Sequence, residues 1–300
     1  MLSVSVIVAT FNREFRLRRL VDALRVQDFP SKRFEVILVD DGSTDGTGGY
    51  LRTLHNDTRL QIRVLSQNNR GPASARNFGA RVARGDLFAF IDDDCVPDSN
   101  WLSEMVICAD RDASLAGIGG MIVRLHDNVM SRWVDRSGIM GHPLYCGGAT
   151  SYLVTANAVF RRRAFEEVGG FNEQIGWPGG EDPELALRIR LAGGRLGICS
   201  GSRVRHEHRD SFRGLFRTFF CYGRGSIFFS TPSSWGVRSW RGRKAIIRLL
   251  CGCSWRHLTM AFYGAFRPSL SLAERITELT CGVIRAFGFC WGRAYQHYLF

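Results

Sequence analysis

No stretch of this 300-residue chain reaches the roughly 20 uninterrupted apolar residues that a membrane-spanning helix requires. Met1 to Ala9 lacks the basic opening of a secretory signal, and its apolar run is only strand-sized, so the chain is expected to stay in the cytoplasm. Its nine cysteines show no C-x-x-C spacing, which disfavours both a zinc site and a disulfide scaffold; reduced, mostly buried thiols are expected. No G-x-G-x-x-G follows the first apolar run, which argues against a dinucleotide oxidoreductase. A glycine-rich, lysine-containing loop is missing there too, which argues against a nucleotidyltransferase.

A composition that is 45% hydrophobic is enough for one large buried core plus an appendage, and excludes disorder. The formal charge of +12 is uneven. From Arg203 to Phe300 there are 16 Lys and Arg against 4 Asp and Glu, whereas Met1 to Ser202 balances 24 against 24. The chain therefore changes character near residue 203.

Before that point, short β-branched runs alternate with helical patterns, the signature of an α/β fold with a mostly parallel central sheet flanked by helices. Strands are expected at Val4 to Ala9, Phe34 to Val39, Ile62 to Leu65 and Leu87 to Ile91. Phe15, Leu17, Leu20, Val21 and Leu24 recur at helical spacing, with Pro30 as a stop. A second helix is expected over Ala73 to Arg84, opened by Pro72 and closed by Gly85. In such sheets ligands bind beyond the carboxyl ends of the strands. Those ends are polar here: Thr10-Phe11-Asn12-Arg13, Asp40-Asp41-Gly42-Ser43 and Asp92-Asp93-Asp94.

Three successive aspartates after so apolar a strand repel one another unless water or a cation offsets them. Mg²⁺ or Mn²⁺ takes oxygen ligands shared between carboxylates and substrate phosphates, although a solvated acidic turn accounts for the same triplet. Turn and cap roles explain Gly42, Ser43 and Thr44 but leave Asp40 and Asp41 needing a reason, and one of them is placed to accept a nucleobase N–H. Arg76 sets a permanent cation near the acidic rim, either on a diphosphate or on an aspartate.

The runs SVIVATFNR, EVILVDDGSTDGT, NRGPASARNFGA and FAFIDDDC, in this order, resemble the family 2 glycosyltransferases of the GT-A fold, over roughly Ser3 to Ser211. The resemblance implies an inverting transfer of a sugar from a nucleotide diphosphate sugar, UDP favoured, to a glycan or lipid-linked hydroxyl. It implies nucleotide-sugar contacts from Thr10, Asn12, Arg13, Asp40, Asp41, Arg76, Asp92 and Asp93. Asp92 and Asp94 match the outer positions of the family's D-x-D motif, with His206 completing a divalent metal site; His208 has the same geometry if the strand stays extended. Trp177 to Leu185 looks like the family's E-D loop, and the resemblance favours Asp182 over Glu181 as catalytic base. Capping logic argues the other way, since Asp182 precedes a first-turn Pro183. Gly169 to Glu173 matches a turn where acceptor contacts are expected, or where Phe171 simply packs.

The expected organisation is a catalytic domain over residues 1–210 and a basic, aromatic-rich helical region over 211–300. That region's apolar fragments, broken by Arg248, Arg256, Arg267, Arg275 and Arg285, read as interfacial, with Trp235, Trp240, Trp255 and Trp291 at the boundary of the inner face of the cell membrane. Packing on the catalytic domain or on a second copy is the alternative. No nucleic-acid motif accompanies the arginines, so no nucleic-acid partner is expected.

Overall fold

The computed structural model describes residues 3–142, 150–229, 261, 264, 265, 267 and 269–299. Trp235, Trp240, Trp255, Arg248 and Arg256 lie outside them.

The chain divides into two compact units. The first comprises Met1–Leu125, Gly138–Gly176 and Asp182–Glu207. It opens as β1 (Val4–Thr10), α1 (Glu14–Leu24), β2 (Phe34–Asp40), α2 (Thr47–Thr53), β3 (Ile62–Ser66), α3 (Pro72–Val82) and β4 (Leu87–Phe90). It continues through β5 (Cys95–Pro97), α4 (Trp101–Arg111), β6 (Leu115–Arg124), β7 (Ala158–Arg161), α6 (Arg162–Glu167), α7 (Glu181–Leu191) and β8 (Arg195–His206). Between β6 and β7 the chain also forms α5 (Val129–Ser137), which belongs to the second unit.

The eight strands form one sheet in the order β3-β2-β1-β4-β7-β6-β8-β5. The pairs among β1 to β4 and the β6–β8 pair are parallel, while β7 and β5 join antiparallel. The sheet is thus mixed at one end. Both faces are covered, which explains why β1 and β2 read as continuous apolar runs. Val4, Val6 and Val8 enter one core with the helix residues Leu17, Leu20, Val21 and Leu24. Ile7, Ile37 and Val39 enter the other, where Phe90 meets Phe171 edge-on with ring centroids 5.1 Å apart. Phe15 does not join: it is 84% exposed, since at about 100° per residue it stands about 200° from Leu17.

The expectation of reduced thiols fails for one pair. Cys108 of α4 and Cys199 of β8, 91 residues apart, form a disulfide with Cα atoms 6.0 Å apart. A partner so distant in sequence leaves no local spacing to read. Among the described residues Cys95, Cys221, Cys281 and Cys290 remain thiols.

The second unit comprises His126–Ser137, Trp177–Glu181 and His208–Phe300. Its described elements are α5, α8 (Phe212–Phe229) and α9 (Leu272–Leu299). Helices α8 and α9 approach closely through glycine: a Cβ at Gly292 would fall on the Phe220 carbonyl, and one at Gly223 on the Phe289 carbonyl. Arg132 and Arg136 of α5 both reach Glu274 of α9, at 3.4 and 3.2 Å. No described helix is long and apolar enough to cross a membrane.

Candidate active site

Strand register assembles the acidic rim. Thr10 stands beside Asp40 across β1 and β2, and Ile7 beside Phe90 across β1 and β4. Advancing equally from Ile7 and Phe90 brings Thr10 level with Asp93, and the Thr10 hydroxyl donates to Asp93 Oδ2 at 2.8 Å. Burial, then the adjacent Asp94 carboxylate, pushes the Asp93 pKa well above the carboxylate range. Arg76, buried on α3, donates to Asp92 Oδ1 at 2.7 Å. Arg13 Nη1 lies 3.5 Å from Asp94 Oδ2.

The far end of the sheet contributes the histidine. Because β5 runs antiparallel to β8 with Cys95 opposite His206, Asp94 lies next to the end of β8. His206 Nε2 is 3.2 Å from Asp94 Oδ1. Two adjacent ligands about 2.1 Å from an octahedral cation are separated by about 3.0 Å, so this carboxylate–imidazole pair suits a hard divalent ion. Among the described residues Asp94, Cys95 and His206 bring ligand atoms within 4.8 Å of one another. Cys95 is a poor hard-cation ligand: burial and the aspartates raise its pKa well above the usual value, and its thiol donates to the Ala156 carbonyl at 3.6 Å. Asp92 stands beside this cluster in sequence and faces Arg76 instead.

Two predicted nucleotide contacts are engaged by backbone. Asn12 adopts a left-handed φ of 54°, its Oδ1 accepts the Thr44 N–H at 2.7 Å, and its own N–H donates to Ser43 Oγ at 2.9 Å. The β1 loop is thereby tied to the β2 loop. Asp41 accepts from Gln67 Nε2 at 2.7 Å and from the backbone N–H groups of Arg70 and Gly71 at 2.9 and 2.8 Å. Asp40 accepts the Ser43 N–H at 2.9 Å.

The two carboxylates of the E-D loop differ. Glu181, 4% exposed, turns back to accept the Gly179 N–H at 2.6 Å within its own loop. Asp182 is half-buried, and its Oδ2 accepts the Thr155 N–H at 3.0 Å. Helix α7 starts at Glu181, so Asp182 lies inside the first turn rather than before it.

The contacts of Glu207 and Asp135 had no sequence signal. Glu207 pairs with Arg16 and Arg19; burial opposes its ionisation, but these hydrogen bonds prevail and lower its pKa. In the second unit His208 lies 2.9 Å from Asp135 of α5. In the Gly169 to Glu173 turn, Phe171 is buried and Asn77 holds its backbone, accepting its N–H and donating to its carbonyl, both at 2.8 Å.

The family model described as Glycosyl transferase family 2 matches residues 5–169, from β1 through α6, and so includes the ends of β1, β2 and β4. This chain belongs to that family. A further model, N-terminal domain of galactosyltransferase, matches residues 143–210 of the glycosyltransferase. It is 34% identical over 234 residues to the Glycosyltransferase AglE of Haloferax volcanii, covering 75% of this chain and 73% of that one. It is 32% identical over 236 residues to the Pre-mycofactocin glycosyltransferase of Mycobacterium tuberculosis, covering 73% of this chain but spanning only 46% of that relative's length. Among solved structures, the Mannosyltransferase PcManGT of Pyrobaculum calidifontis, in complex with GDP-Man and Mn²⁺, aligns with a TM-score of 0.65 at 20% identity, covering 95% of this chain and 86% of that one. The fold is that of the GT-A glycosyltransferases.

Proposed function

We propose that this glycosyltransferase moves a sugar with inversion from a nucleotide diphosphate sugar to a hydroxyl of a glycan or lipid-linked acceptor. The observation that carries the reading is the gathering of Asp92, Asp93, Asp94, Arg13, Arg76 and His206 at one rim of the sheet. That rim alternates carboxylates with fixed cations, as a diphosphate and its counter-ion require.

Asp94 and His206 would hold a Mn²⁺ or Mg²⁺ ion, with Asp92 beside them. Such an ion, when bound, supplies the positive charge that stabilises the departing diphosphate. Arg13 and Arg76 add permanent positive charge there. Asp40, which spends one oxygen on Ser43, is assigned to the nucleobase or ribose. Thr10 orients Asp93, while Asn12 and Asp41 hold the two loops that frame the nucleotide.

Asp182 is assigned as the base that takes the acceptor hydroxyl's proton as the anomeric bond to the diphosphate breaks. Its Thr155 hydrogen bond fixes one oxygen, whereas Glu181 is committed to its loop. A UDP-sugar is the first donor to test, and a GDP-sugar the second because PcManGT was solved with GDP-Man.

Nucleotide-dependent thermal stabilisation across UDP, GDP and dTDP, with and without Mn²⁺, together with donor hydrolysis, tests the reading. One nucleotide should stabilise the protein only with metal, Asp94→Ala should abolish that response, and Asp182→Ala should bind donor without turnover. Failure of every nucleotide to bind removes the transferase assignment to this rim.

A further inference from the structure

Among its described side chains helix α9 carries seven large apolar ones that are exposed: Leu272, Ile276, Leu279, Val283, Phe287, Trp291 and Tyr295. They run about 35 Å along the axis at 1.5 Å per residue. At about 100° per residue they fall within an arc of about 160°, so one plane can cover them all. The described exposed positions of this helix include no charged residue. The aromatic Phe287 and Trp291 are 61% and 62% exposed. So long a continuous apolar strip on a water-facing surface marks a contact.

Charge identifies the partner. Of the four acidic residues after Arg203, Glu274 and Glu278 are turned to Arg136 of α5 at 3.2 and 3.6 Å, and Glu207 is paired with Arg19 at 2.6 Å. The same stretch carries 16 Lys and Arg against those 4 Asp and Glu, and Arg213 and Arg217 of α8 are exposed. A second copy of the chain would bring the same net charge of +12 and be disfavoured by repulsion. An anionic bilayer supplies both the apolar phase and the opposite charge.

We infer that α9 lies along an anionic lipid surface, burying the Leu272-to-Tyr295 strip among acyl chains, with cationic side chains of the same basic stretch at the headgroups. The inference is independent of the transfer chemistry, because vesicle binding is read without donor or acceptor. It narrows a general membrane affinity to one face of one helix.

Co-sedimentation of the full chain with phosphatidylcholine vesicles, or with phosphatidylcholine mixed with phosphatidylglycerol, is the test. Binding is expected on the mixed vesicles and should weaken as salt is raised. Phe287→Ser combined with Trp291→Ser should weaken it about 100-fold. Ile276→Ser combined with Leu279→Ser, at the other end of the strip, gives a second reading, and the thermal midpoint of each variant reports its fold. Equal binding to both vesicle types, or undiminished binding by folded variants, overturns the inference. So does a parent that sediments as a dimer and becomes monomeric in the Phe287 and Trp291 variant, because a second copy then covers the face.

Discussion

The guanidinium of Arg224 lies 3.6 Å from the centre of the Trp177 ring, and its Nε donates to Gln296 at 3.0 Å. The indole N–H of Trp177 donates to the Cys221 carbonyl at 3.2 Å. Trp177 begins the loop that runs through Gly179 and Gly180 into α7, whose second residue is Asp182. Gly180 has φ 106°, and a Cβ there or at Gly225 would fall on the opposing backbone. At Gly180 and Gly225, therefore, helix α8 meets this loop backbone to backbone.

Arg224→Ala removes a stacking contact worth about 0.5–2 kcal/mol and frees the loop. Steady-state kinetics should show kcat reduced about tenfold to 100-fold with nucleotide affinity unchanged. An equal loss of nucleotide affinity would mean that Arg224 serves the donor site instead.

Asn12→Ala places a side chain with no local hydrogen bond at a left-handed φ and releases the Thr44 N–H. The cost is expected at about 1–3 kcal/mol in chemical denaturation, with a raised donor KM because the Ser43 to Asp45 loop loses its anchor. Asn12→Gly should recover the backbone part only.

His142 tests the pH response. Desolvation lowers its pKa from 6.5 to about 4, while its ring accepts the Val154 N–H at Nδ1 and meets the Gly120 carbonyl at 2.7 Å through Nε2. A depressed histidine contributes stability that is complete above its unfolded pKa of 6.5 and is lost as the pH falls toward about 4. Its share of the slope is about 1.4 kcal/mol per pH unit in that window. Denaturation midpoints of the parent and His142→Gln should converge as the pH drops through it.

Phe90→Ala opens the aromatic cluster shared by Phe160, Phe165 and Phe171. Loss of about 3–5 kcal/mol is expected in urea unfolding. The strand leads directly into the aspartates, so donor binding should weaken as well.

Strand β3 was legible from Ile62, Val64 and Leu65 although it is only half-buried; β1, β2 and β4 were legible because each is an apolar run stopped abruptly by Thr or Asp, and burial on both faces made the runs continuous. The acidic rim was legible for the same reason, as was His206 at the end of a strand. That Asp94 faces His206 came from the family resemblance and not from local pattern, because the Cys95–His206 register joins two strands far apart in the chain. Strand β6 was missed because it carries Gly117, Gly119 and Gly120, which weaken a strand signal. Those glycines are there for space: a Cβ on Gly120 would collide with the Asn157 side chain and one on Gly119 with the His142 ring. Disulfide pairing and the Asn12 and Asp41 loop anchors lie equally beyond local pattern, since each depends on a tertiary partner.

The Asp94–His206 pair also sets a time order on the ribosome. Asp94 is synthesised early, but β8 is the last strand of the sheet in chain order and His206 is its final residue. A nascent chain stopped before β8 has the aspartates without their imidazole partner or the strand that supports β5. The pairing of this carboxylate with its imidazole is therefore completed only once β8 has entered the sheet.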